Sequence, residues 1–196
     1  MPKTGFTAAQ IRDKAIDVAI VQMRRHGFEK VRLVDIAKDL GVSHAALYMH
    51  FDDREALLNA VSEHWLKLLE AALEVVCLKN KDPIAKIHEW FLKLYQMKRE
   101  KMMNDPELYK AFKSAADRQK SIYKEHLTVM NRQLTEVVKS ATAQKKLTRH
   151  SIEKTVALLF ETTTGFHNPM MIARYLSEKR ENVLKQVLDV VLDGLS

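Results

Sequence analysis

The stretch SHAALYMHFDDR, Ser43 to Arg54, brings two imidazoles, a phenol and a guanidinium close together around small and apolar residues. Those polar groups donate hydrogen bonds to phosphate oxygens, and an exposed helix start can also reach base edges. His44 stands at such a start. Ala45 and Ala46 are small enough for the helix backbone to approach a duplex, while Tyr48, His50 and Arg54 suit phosphate. Leu47 and Phe51 fit the core behind them. The same pattern also serves as a plain helical corner that binds nothing, so the residues alone leave both readings open.

Two further sets of residues carry possible chemistry. His64, His126 and His167 (with His88) fall on different predicted helices, near Glu63, Glu89 and Asp117 in sequence. Imidazoles converging in a helical bundle could hold a divalent metal, Zn or Ni. No pair has the i, i+4 spacing that would make this strong. Trp65, Trp90, Tyr95, Tyr109, Phe112, Tyr123 and Phe166, with Met130, could line an apolar pocket, or could be ordinary core. No Gly-rich phosphate loop, Gly-x-Ser-x-Gly or HExxH occurs, and serines and acids form no catalytic constellation, so an enzyme is not expected.

The elements that must position these residues are helices. Ile11, Ala15, Val18, Ala19, Gln22 and Met23 follow helical spacing, which predicts a helix over 7–26 ended by Gly27. Leu33, Ile36, Ala37 and Leu40 predict a short second helix. Gly41 makes the turn, and Ser43 caps a third helix over 44–50. A long helix opens at Arg54 and fades near Leu78. Asp82-Pro83 and Asp105-Pro106 each read as an N-cap followed by proline at the first helical position, predicting helices over 83–103 and 106–117. Further helices are expected over about 120–140, from about 148 to a stop before Pro169, and over about 177–195. The chain is thus all-α, in two parts divided after Arg54: 1–54 and 55–196.

Composition agrees. The 196 residues hold 5 Gly, 4 Pro and 1 Cys, with 46% hydrophobic and 29% charged residues. Few breakers favour helices, and the single Cys77 cannot form an intrachain disulfide, which suits a reducing cytoplasm. No apolar run reaches the length of a membrane span, and no membrane partner is expected. The net charge of +7 hints at an anionic partner. Yet residues 1–55 carry 9 basic against 8 acidic side chains, so bulk charge does not mark the first part as a DNA binder.

Two short helices around a glycine turn, on a longer preceding helix, form a helix-turn-helix. Residues 11–58 resemble the DNA-binding domain of the TetR family of bacterial transcriptional regulators. The matching residues are Ile36-Ala37, Gly41-Val42-Ser43, Leu47-Tyr48, His50-Phe51 and Arg54-Glu55-Ala56-Leu57. The resemblance implies an Ω-shaped homodimer on double-stranded operator DNA, with a three-helix head and a helical body for dimerisation and a small-molecule effector. It implies DNA contacts by Arg32, Ser43, His44, Ala45, Ala46, Tyr48, His50 and Arg54. Two departures stand out. Val31-Arg32 replaces the usual Thr or Ser before the second helix, losing a cap worth ~1 kcal/mol, although Arg32 can reach a phosphate by charge. Ala45-Ala46 replaces Gly-Thr or Gly-Ser. In the body, the stripe Leu184, Leu188, Val191 and Leu195, with Ile152, Val156, Leu159 and Phe160, suits a four-helix dimer interface or intrachain core. The expected function is a palindrome-binding repressor released by its effector; a metal-binding regulator of the same fold, or an activator, is the alternative.

Overall fold

The computed structural model describes residues 5–110 and 120–196. The helices are α1 (Ala8–His26), α2 (Leu33–Leu40), α3 (His44–Tyr48), α4 (Arg54–Cys77), α5 (Pro83–Asn104), α6 (106–110), α7 (Lys120–Ala143), α8 (Ile152–Thr162), α9 (Thr164–His167), α10 (Pro169–Arg174) and α11 (Glu181–Leu195). A 3-10 turn, Phe28–Lys30, links α1 to α2. The described residues contain no strand. They form two compact units, one of residues 1–66 with 105–123, the other of 67–104 with 124–196.

Local signals start and stop the helices of the first unit. Thr7 and Gln10 form a reciprocal capping box at α1, and Gly27 ends it at φ 90°. Gly41 adopts the left-handed conformation, φ 68°, that closes α2 and turns the chain toward α3. A side chain there would be strained. Ser43 then caps α3, its Oγ accepting from the Ala46 N–H at 3.1 Å. Asp53 caps α4 through Ala56 N–H at 2.7 Å. Ala15, Ala19, Met23, Ile36, Leu47 and Leu57 are wholly or almost wholly buried in one core, joined by Leu108 of α6. Gln22 donates to Asp39 at 2.9 Å and ties α1 to α2.

In the second unit α5 is the central element, packed by α9, α10 and α11. Asp82 caps it by accepting from the Ile84 and Ala85 N–H groups at 2.9 and 3.2 Å. Its buried face carries Ile87, Trp90, Phe91, Leu94, Tyr95, Lys98 and Met102. Trp90, Phe91 and Phe160 meet edge to face with centroids 5.0–5.8 Å apart. Leu184, Leu188, Leu192 and Leu195 of α11 are buried, as are Val156 and Leu159 of α8.

The greatest difference from the sequence expectation lies after residue 160. The helix expected to run to Pro169 ends at Thr162, and α9 and α10 follow as separate short helices. Thr163 and Thr164 return their hydroxyls to carbonyls one turn back, Thr163 to Leu159 at 2.6 Å and Thr164 to Phe160 at 3.0 Å. Such back-bonding weakens a helix. Asn168 accepts from Met170 N–H at 2.9 Å and starts α10 with Pro169 at its first turn. Asn168-Pro169 is therefore a start as well as a stop. The last helix begins at Glu181, not near 177, because the preceding link is pinned to α5. Arg99 donates to Leu176 O at 3.0 Å, and the Arg180 guanidinium lies 4.5 Å from the Phe166 ring and 4.3 Å from Tyr175.

Candidate functional site

The first unit offers α3 to solvent on one side only. Leu47 is fully buried and Phe51 nearly so, which leaves Ser43, His44, Ala45, Tyr48 and Met49 on the open face. Met49 is 85% exposed, a poor place for a thioether unless something covers it. His44 and Tyr48, one turn apart, meet edge to face with centroids 4.5 Å apart. That contact fixes two donors on one side of a helix only five residues long. Ala46 and His50 are half-buried at the margin of this face.

Arg32 occupies the N-cap position of α2 and its side chain makes no cap, leaving the charge exposed. It lines an open cleft of about 420 Å³ with Gln22, His26, Lys30, Asp35, Lys38 and Asp39. Lys30 and Lys38 were absent from the sequence-derived set. Their spacing around Arg32 and along the outer face of α2 is the signal that could have included them. Arg54 is oriented differently from the other cations of this unit. Its Nε donates to Val31 O at 2.9 Å and its Nη2 to Phe28 O at 2.6 Å, with the guanidinium 5.0 Å from the Phe28 ring. Arg54 thus fastens the link before α2 to the start of α4.

A second tie in this unit runs to residues 105–107. Arg24 makes a two-pronged pair with Asp105, at 2.6 and 2.8 Å. Glu107 accepts from Phe28 N–H at 2.7 Å. Lys110 and that N–H hold the Glu107 carboxyl below its ordinary range. The Glu107 contact braces the turn that carries Arg54's acceptors.

The aromatic residues do not fall in one place. Trp65, Tyr109 and Tyr123 belong to the first unit and are half-buried; burial pushes the Tyr109 phenol to about 12, and the nearby Tyr123 adds to it. Trp90, Tyr95, Met130 and Phe166 are buried in the second unit. Trp90 donates to Gln133 Oε1 at 3.3 Å, and Gln133 donates to Glu70 O at 2.9 Å. Phe112 and Asp117 lie outside the described residues.

The histidines separate as well. His64 is exposed in the first unit. In the second, His126 Nδ1 lies 2.7 Å from Glu70 Oε1, and His167 Nε2 lies 3.1 Å from Phe160 O. Burial, reinforced by the Lys98 charge, lowers His126 to about 3 and His167 to about 4, so both stay neutral. Among the described residues no group of three or more His, Cys, Asp or Glu side chains could hold a metal ion. Nor is any described helix long and apolar enough to cross a membrane.

Of the residues expected at a dimer face, Val156, Leu159, Leu184, Leu188 and Leu195 are buried within the single chain. Packing against α5 and α8 accounts for the α11 leucines. Val191 is half-buried. The apolar positions of α11 that stay open are Val183, at 44%, and Val190, at 74%.

The chain's sequence matches two family models, the bacterial regulatory proteins of the tetR family over residues 15–61 and the Tetracyclin repressor-like C-terminal domain over residues 83–188. A probable acrEF/envCD operon repressor of Escherichia coli is 37% identical over 65 residues, which are 33% of this chain and 28% of that protein. A protein of unknown function from Rhodococcus sp. RHA1 has the same fold, with a TM-score of 0.70 at 21% identity over 100% of this chain and 98% of that one. SmeT, the repressor of a Stenotrophomonas maltophilia multidrug efflux pump, aligns with a TM-score of 0.65 at 20% identity over 97% and 91%. FadR, a fatty acid degradation regulator from Bacillus halodurans, aligns at 0.65 and 16% over 92% and 94%. At these identities the structures speak for the fold alone. The helix-turn-helix with its exposed α3 face and the two family matches together assign this chain to the TetR family of DNA-binding transcriptional regulators.

Proposed function

We propose that the chain is a transcriptional repressor that binds a palindromic operator as a homodimer and leaves it when a small molecule binds the body. In this reading residues 1–54 grip DNA and residues 55–196 dimerise and take the effector. The observation that carries it is the α3 face, where His44 and Tyr48 are held together over a buried Leu47 with Ala45 between them. This is a helix whose outer side is polar and small, as a major-groove reader must be. Repression is favoured because the 37%-identical relative is described as an operon repressor and its match lies in a stretch of 65 residues.

A palindrome requires two heads about one helical turn apart, and the exposed Val183 and Val190 give a second copy an apolar surface on α11. Release requires only that the effector prefer the non-binding arrangement. The experiment is selection of duplexes from a random pool, followed by fluorescence anisotropy on the winning sequence. A two-fold symmetric consensus bound by a dimer supports the reading; an asymmetric or single half-site bound by a monomer contradicts it.

A further inference from the structure

The α5 stripe holds one residue that does not belong in an apolar face. Lys98 follows Phe91, Leu94 and Tyr95 at helical spacing, precedes Met102, and is only 6% exposed. Its ammonium has three protons to place. One goes to His167 O at 3.1 Å, and no carboxylate of the described residues lies within ion-pair distance. Glu70, the carboxylate against His126, receives that ring's Nδ1.

The two histidines beside Lys98 supply no negative charge. A carbonyl can only accept, so His167 Nε2 donates to Phe160 O; a carboxylate likewise accepts, so His126 Nδ1 donates to Glu70. Burial, with the Lys98 charge nearby, keeps each ring neutral. Burial lowers Lys98 to about 8, yet at neutral pH the charged form still prevails. Buried charges in folded proteins are paired, because an unpaired one costs folding free energy. Replacing Lys98 by an apolar residue would remove that cost, and no carboxylate of the described residues offsets it, which makes the site fit for an anionic partner.

We propose that the Lys98 ammonium is the counter-ion site for the carboxylate of an apolar organic acid, the effector of this regulator. The proposal rests on the reading of the chain as ligand-released. A single positive charge on the buried apolar face that also carries Phe91, Leu94 and Tyr95, near two neutral imidazoles, matches a monoanion. A dianionic phosphate would leave a charge over. The apolar neighbours select against small inorganic ions, which gain nothing from them.

Isothermal calorimetry tests this with decanoate, 4-phenylbutyrate, their neutral amides and acetate, on the wild-type protein and on Lys98→Met. The expected result is that at least one of the two larger acids binds the wild type about tenfold or more tighter than its amide and than acetate. Lys98→Met should bring that acid down to the amide's level. It should also melt higher than the wild type without ligand, because a buried unpaired charge is gone. Lys98→Gln is the second variant should the Met protein not fold.

Equal binding of acid and amide to the wild type overturns the proposal, as does an acid preference that survives in Lys98→Met or Lys98→Gln. Acetate matching the larger acids, or no acid binding at about 1 mM, overturns it as well. Operator anisotropy on the wild type separates the two readings. An acid that binds through Lys98 without releasing DNA contradicts ligand release and leaves the site standing. A neutral compound that releases DNA while the acids do not bind does the reverse.

Discussion

Replacing Arg54 by Met separates a structural role from a phosphate contact. The guanidinium makes two hydrogen bonds to carbonyls of the link before α2, at 2.9 and 2.6 Å, and lies 5.0 Å from the Phe28 ring. Hydrogen bonds from a charged donor are worth about 1.5–3 kcal/mol each, and the ring contact adds about 0.5–1 kcal/mol. Against this, Met needs no dehydration of a charge and keeps part of the apolar contact. The net loss is then about 3 kcal/mol. With a urea slope of about 2 kcal/mol per molar, the midpoint should fall by about 1.5 M. The same variant should leave the salt dependence of operator binding alone. A lost phosphate contact would instead lower the slope of log affinity against log salt by about 0.9 per Arg54. Urea denaturation and anisotropy at several salt concentrations read both. A midpoint within the scatter of the wild type, together with a reduced slope, would refute the inward role.

Three other outcomes follow from the same geometry. Ser43→Ala removes the α3 cap and should cost about 1 kcal/mol of stability, with weaker operator binding in anisotropy because the cap orders a five-residue helix. Val190→Asp puts a charge on the open side of α11 and should shift native mass spectra from dimer to monomer; an unchanged dimer would move the interface elsewhere. Acid should destabilise the chain early. His126 and His167 stay neutral in the fold down to about 3 and 4 but take protons when unfolded below about 6.5. The unfolded state then binds more protons, so stability falls with pH from about 6.5 toward 5 by about 1.4 kcal/mol per pH unit per histidine. Chemical denaturation across that window, with His126→Gln and His167→Gln together, should show the slope and its loss.

The head was legible because its signals are local. Gly41, Ser43, Asp53 and the apolar positions Ile36, Leu47 and Leu57 each act within a turn or two of themselves. Asp82-Pro83 revealed the start of α5 for the same reason. Asn168-Pro169 carries an equivalent start signal, obscured by the proline's other meaning as a stop. What sequence could not give was direction. Arg54 looked like a free cation until its acceptors, more than twenty residues earlier, were in view. The α11 leucines and valines share one helix, and only the packing of α5 and α8 decides that Leu184 and Leu188 turn inward while Val190 stays out. Lys98 lies on the apolar spacing of α5, but a lone lysine in a stripe is ordinarily read as surface.

The most direct test of the account concerns the α3 face. Anisotropy on the selected operator and on a scrambled duplex of equal length, at about 150 mM salt, measures sequence discrimination rather than bulk attraction. The account predicts a preference of about 10³ or more for the operator. It also predicts that His44→Ala and Tyr48→Phe each reduce that preference while retaining the fold. Equal affinity for both duplexes, or full discrimination in both variants, would contradict the assignment of α3 as the reading helix.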